Sequence, residues 1–217
     1  HLGNTIIRIL KDSECSIRGL ILPDDPEPEL TNAVYYRGDV LRPESLEPLF
    51  EGVEGAGAIL IHAAGIVDVS EPPDPKLHSV NVDGTKNVAE LCKKHGVRMV
   101  YVSSVHAIPE SKGGTVLTEP ESLDPNAVLG SYAKSKAEAT QFIFDEIAKG
   151  LDAVIVYPSG IIGPYGDGGY MEELVRSYME KKLPAGVQGG YDFVDVRDVA
   201  KACITAGETA PSGSSYI

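Results

Sequence analysis

A chain of 217 residues with 42% hydrophobic and 24% charged side chains is long and apolar enough to bury a core of ordinary globular size. Its 32 acidic side chains against 19 basic ones leave a formal charge of −13, which lacks the basic footprint that nucleic acid or an anionic membrane surface requires. Three cysteines, Cys15, Cys92 and Cys203, show no metal-ligand spacing and no pairing pattern, as expected of a reduced, cytoplasmic protein that packs them as small apolar residues.

In chain order, residues 2–11 read as a helix with Ile6, Ile7 and Leu10 on its inner face. Short apolar strands follow at 16–22 and 33–37, separated by the Pro/Asp/Glu cluster at 23–29, which reads as a loop. After Gly38-Asp39-Val40 come a short helix around 46–50 and a strand at 58–62 that opens into Ala63-Ala64-Gly65. A helix at 82–95 stops at Gly96, and the strand 98–103 gives way to Ser104 and a long polar loop. The helix 132–149 is rich in Ala, Lys, Glu and Gln and ends at Gly150. A strand at 153–157, the loop 158–164 and helices at 171–182 and 198–206 complete the pattern, and Ser215-Tyr216-Ile217 reads as the start of another strand. No run approaches a membrane span, no leader peptide is read at the start, and there is no repeat.

Short apolar strands alternating with amphipathic helices predict an α/β fold: a Rossmann-type doubly wound parallel sheet with helices on both faces. In such sheets ligands bind beyond the carboxyl ends of the strands. Asp39, Ala63-Ala64-Gly65, Ser103-Ser104 and Pro158-Ser159-Gly160 all follow strands, so one crevice is expected to collect them. Tyr132 and Lys136 lie one turn apart on the same helix face. A cation beside a phenol favours the phenolate, which lets a tyrosine exchange a proton near neutral pH. His62 and His106 are lone histidines, better read as packing or solvent-facing residues than as ligands.

Seven pieces, in order along the whole chain, carry a resemblance: Gly38-Asp39-Val40, His62-Ala63-Ala64-Gly65, Asn81-Val82-Asp83-Gly84-Thr85, Val102-Ser103-Ser104, Tyr132-Ala133-Lys134-Ser135-Lys136, Pro158-Ser159-Gly160 and Phe193-Val194-Asp195-Val196-Arg197-Asp198-Val199-Ala200. With them the chain resembles the extended short-chain dehydrogenases/reductases, the NAD-dependent epimerase/dehydratase family. Its pattern is closest to the dihydroflavonol reductase and 3β-hydroxysteroid dehydrogenase-like branch. The resemblance implies NAD(H) or NADP(H) as cofactor and a catalytic set of Ser104, Tyr132 and Lys136. Tyr132 would be the acid/base, Ser104 would hold the substrate oxygen, and Lys136 would lower the tyrosine pKa and bond the nicotinamide ribose. It also implies cofactor contacts at Gly3, Asp39, Val40, Ala63, Ala64, Gly65, Ser103, Pro158 and Ser159, with Asp39 accepting from the adenine amino group. Asn81 is read as structural, bonding backbone near the serine strand.

The family begins with a strand and a glycine-rich turn that receives the pyrophosphate. His1-Leu2-Gly3 looks like the last three positions of that turn, so the first strand and a C-terminal portion are expected to be missing from this chain. Residues 1–160 are then an N-terminally truncated dinucleotide-binding domain. Residues 161–217 are a partial substrate-binding region interleaved with the last part of that domain. Leu22-Pro23-Asp24-Asp25 stands where NADP-preferring members carry an arginine, a weak lean to NAD.

Three functions compete. The leading one is a reductase or dehydrogenase acting on a carbonyl or alcohol of a small non-nucleotide substrate. The others are a nucleotide-sugar epimerase or dehydratase and a non-catalytic dinucleotide sensor. Sugar-nucleotide members usually carry an arginine for the substrate diphosphate where this chain reads Tyr191-Asp192-Phe193, and the intact Ser-Tyr-Lys set argues against the sensor. The loop 107–129 and the segment 161–190 are expected to shape the substrate pocket. Family members often dimerise through a four-helix interface that includes the tyrosine helix, which makes a homodimer an open expectation.

Overall fold

A computed structural model describes residues 1–53, 57–110, 115–166, 170–183, 186 and 189–217, with backbone alone at 170–172. Its centre is set by β4 (Arg98–Val102) and β5 (Ala153–Val156), continuous apolar runs of the kind that suits a strand buried on both faces. They pair in parallel inside a four-stranded sheet of order β3-β4-β5-β8, with β3 at Ile59–His62 and β8 at Ser215–Tyr216. Side chains alternate with the period of a strand. Met99, Tyr101, Ala153 and Ile155 enter one core, while Val100, Val102, Val154 and Val156 enter the other.

The first core is closed by α3 (Gly84–His95) and α4 (Ser131–Ala148), the second by α1 (Leu2–Ile9) and α6 (Val196–Thr209). This is the expected doubly wound parallel α/β arrangement. β1 (Arg18–Ile21) and β2 (Val34–Arg37) form a separate parallel pair. Among the described residues β1 bonds β2 and β3 bonds β4, so the parallel layer is divided between β1 and β3. Among the same residues no helix is long and apolar enough to cross a membrane.

Three elements depart from the sequence reading. The segment 158–164 is not all loop: β6 (Gly160–Ile162) pairs in parallel with β7 (Phe193–Asp195). A three-residue strand is too short to show a period, and its partner lies some thirty positions away in sequence. The helix expected from residue 82 begins at Gly84, because Ser79–Asp83 makes a wider π-type turn that carries Asn81 inward. Glycine at 84 permits a close approach, since an added Cβ would stand 2.6 Å from Val40. The helix at 198–206 starts two residues earlier, because Asp195 caps it: its Oδ1 accepts from the Arg197 backbone N–H at 2.8 Å. The same carboxylate pairs with the Arg197 guanidinium at 2.6 Å, and those bonds hold it down at about 2. Two short helices, α2 (Glu47–Phe50) and α5 (Tyr170–Met179), complete the set.

Candidate active site

The parallel register brings the strand ends together. His62 lies opposite Tyr101, and Tyr101 opposite Ile155, so the residues after β3, β4 and β5 leave the sheet side by side. Ala63, Ala64 and Gly65 are exposed there, Pro158 is buried, and Ser159 is half-buried. Across this edge runs α4, whose positions 132, 136 and 140 recur every fourth residue and share a face. All three are buried, in a helix half lined by the small residues Ala133, Ser135, Ala137 and Ala139. Small side chains let the helix lie close to the strand ends, which is what brings a tyrosine and a lysine into reach of them.

Lys136 is anchored through its ammonium. Nζ donates to the Val102 carbonyl at 2.9 Å and stands 5.3 Å from the centre of the Tyr101 ring. Burial pulls its pKa down to about 8. Behind it, Thr140 Oγ1 donates to the Lys136 carbonyl at 2.6 Å. That hydroxyl proton being spent, Ser103 Oγ must be the donor in its 2.7 Å bond to Thr140 Oγ1. The two adjacent serines therefore divide their work. Ser103, expected at the cofactor, has its side chain committed to α4, whereas Ser104 lies close enough to the Tyr132 phenol to act on its pKa. Burial raises the Tyr132 pKa, the nearby Ser104 hydroxyl opposes it, and Tyr191 adds to the rise. The lowering expected from Lys136 is not among these influences; its ammonium donates to the Val102 carbonyl.

Asp39 turns back on its own backbone, with Oδ1 accepting from the Leu41 N–H at 2.9 Å, at the carboxyl end of β2. Val40 is buried, and its carbonyl accepts from Asn87 Nδ2 at 2.8 Å, which docks this turn on α3. Gly3 is exposed in the first turn of α1. His62 is buried, with Nε2 3.0 Å from Thr85 Oγ1, and burial with the charge of Lys136 holds its pKa near 3, so it stays neutral at physiological pH.

Asn81 is structural but bonds a different backbone from the one expected. Its amide straddles Ile66, accepting from its N–H at 2.8 Å and donating to its carbonyl at 2.9 Å, and also donates to Ser135 Oγ at 3.0 Å. That latches the loop after β3, not the serine strand, to α4. Asn81→Ala leaves these buried groups unpaired, so a stability loss of about 1–3 kcal/mol is expected. Urea melts would read it, and amide exchange at Ile66 should quicken; an unchanged midpoint would refute the latch.

Two features had no sequence signal of equal weight. Thr140 was open to discovery as the next turn beyond Lys136. The contact of His106 with Tyr191 was not, because the two are 85 positions apart. Of the segments expected to shape the substrate pocket, 111–114, 167–169, 184–185 and 187–188 lie outside the described residues.

Comparison with known proteins extends this picture. A family model described as the NAD dependent epimerase/dehydratase family matches residues 1–217. A protein of Synechocystis sp. with the provisional name dihydroflavonol 4-reductase is 30% identical across 100% of this chain and 64% of its own length. Sterol demethylase protein B of Methylococcus capsulatus is 28% identical across 100% of this chain and 66% of its own length. The crystal structure of gox2253 superposes with a TM-score of 0.88 at 31% identity, covering 100% of this chain and 66% of that one. The chain thus spans just under two thirds of the length of these relatives.

Proposed function

Because this chain belongs to the NAD dependent epimerase/dehydratase family, we propose that it serves an NAD(P)-dependent oxidoreductase that interconverts a carbonyl and an alcohol on a small, non-nucleotide substrate. The observation that carries this reading is the buried Tyr132, with Ser104 close enough to act on its phenol and the Lys136 amine buried one helical turn away. Relatives named as a reductase and as a sterol-processing protein support the non-nucleotide substrate. So does Tyr191-Asp192-Phe193, which offers no cation to a substrate diphosphate.

The residues at the edge fit a dinucleotide. Ala63, Ala64 and Gly65 present little but backbone, and a Cβ added at Gly65 would stand 3.0 Å from Asn81 Oδ1 and 3.7 Å from Lys136 Nζ. Lys136 spends one of three donors on Val102 and, as an ammonium, has two more for a ribose. Asp39 would hold the adenine end, with Gly3 and Val40 lining the approach through backbone and Pro158 and Ser159 beside the nicotinamide. The lean to NAD gains from Arg37. Its Nη1 donates to the carbonyls of Pro23 and Asp25 at 2.8 Å each, which ties that nitrogen to the shape of the loop.

When bound, the nicotinamide supplies the hydride for reduction or accepts it in oxidation. In the reducing direction the Tyr132 hydroxyl gives its proton to the carbonyl oxygen, which Ser104 holds by a hydrogen bond. Burial keeps the phenol protonated, as a donor must be. Residues 1–160 form the dinucleotide-binding part in this reading, and residues 161–217 contribute to the substrate side.

A reductase must consume NADH or NADPH one for one with its carbonyl substrate. Incubation of the full-length protein with a panel of carbonyl compounds should show net loss of absorbance at 340 nm. Interconversion of nucleotide sugars with no net change would replace this reading by the epimerase one.

A further inference from the structure

We propose, resting on the reading just given, that His106 is a positioning residue: its imidazole clips Tyr191 over the Ser104–Tyr132 pair and so sets one wall of the substrate site. His106 sits in the turn that follows Ser104, and its backbone N–H donates to Ser104 Oγ at 3.2 Å. Its ring meets the Tyr132 ring edge-on, at 5.9 Å between centroids and 85° between planes. Its Nε2 shares a 2.9 Å hydrogen bond with the Tyr191 hydroxyl. One side chain therefore touches both the acid/base ring and a segment 85 residues away.

The far side of the clip is also packed. Tyr191 lies against Phe193, 5.3 Å between centroids, at the start of β7. Gly160 makes room for it, since an added Cβ there would stand 2.5 Å from the Tyr191 ring. The Gly160 N–H donates to the Asp192 carbonyl at 3.1 Å, which continues the attachment from β6. Tyr132, His106, Tyr191 and Phe193 thus form a row of rings leading out from the reacting hydroxyl. Tyr191 is 51% exposed and Phe193 44%, so their outer faces are open to a substrate. In that row the His106–Tyr191 bond is the polar link, and it fixes where the exposed rings stand relative to Tyr132.

The test uses the full-length protein with His106→Phe, Tyr191→Phe and the double substitution. His106→Phe keeps a ring edge against Tyr132 and removes only the nitrogen; Tyr191→Phe removes the other half of the same bond. Each single change should raise amide exchange in residues 189–195 about three- to tenfold, the factor that one net hydrogen bond supplies. KM for a carbonyl substrate should rise by a similar factor, while NADH affinity stays within twofold. The double variant should be no worse than the worse single, because both remove one interaction. Unchanged exchange in 189–195, or KM effects that multiply in the double variant, would overturn the clip. Wild-type protein that turns over no carbonyl sinks the functional reading instead, and exchange then decides the clip alone.

Discussion

Tyr132→Phe is expected to cut carbonyl turnover about a hundred- to ten-thousand-fold, the range that a positioned general acid/base contributes. The change deletes one oxygen from a buried ring and leaves the ring against His106, so packing survives. The loss should fall on kcat, with NADH affinity nearly unchanged, because the proposed cofactor contacts lie with Lys136, Asp39 and the small residues after β3. Ser104 still accepts from the His106 N–H. Steady-state kinetics alongside a cofactor titration would read both quantities. Turnover within threefold of wild type would remove Tyr132 from the mechanism. Full cofactor binding with no turnover in either protein would favour the sensor.

Lys136→Ala should damage cofactor binding and turnover together. A hydrogen bond from a charged donor contributes about 1.5–3 kcal/mol, so NADH affinity should weaken roughly ten- to 150-fold. The substitution also leaves the Val102 carbonyl without the ammonium that fills the space beside it. The same residue gives a pH signature. Its pKa is drawn down to about 8 by burial, below the ordinary lysine range. From about pH 8 up to that range, the unfolded chain holds a proton that the folded protein has shed, so this group's contribution to stability rises with pH. Below about pH 8 both states carry the charge and the burial penalty is felt in full. Carbon-13 NMR of the lysine Cε should show one titration centred near 8 that vanishes in Lys136→Ala. A midpoint at 10 or above would mean that Lys136 is solvated, not packed beneath the site.

The fold was legible where one local cause governs several residues. The apolar runs at 98–102 and 153–156 are buried on both faces, so their composition alone announces inner parallel strands. The tyrosine helix was legible through its propensities and the fourfold spacing of Tyr132 and Lys136. Gly96 marked the end of α3 because it adopts φ 64°, a conformation that favours glycine. Strand order then put Ala63, Ser104 and Pro158 at one edge, since the parallel strands β3, β4 and β5 deliver their carboxyl ends to the same side.

What the sequence determined by itself was therefore the α/β class, the edge at which the candidate residues after β3, β4 and β5 gather, and their types. Tertiary structure decided how those residues are used. Ser103 and Ser104 are neighbours of one type, yet one hydroxyl is committed to Thr140 and the other lies beside Tyr132, because successive residues leaving a strand point to opposite sides. Lys136 reads as a cation next to a phenol, but burial, which no local pattern specifies, sends its proton to the Val102 carbonyl and governs the Tyr132 pKa. The pairing of β6 with β7, and with it the contact of Tyr191 with His106, joins segments far apart in sequence. Three-residue strands carry no periodic signal, and a hydrogen bond across 85 positions exists only once the sheet has brought its ends together.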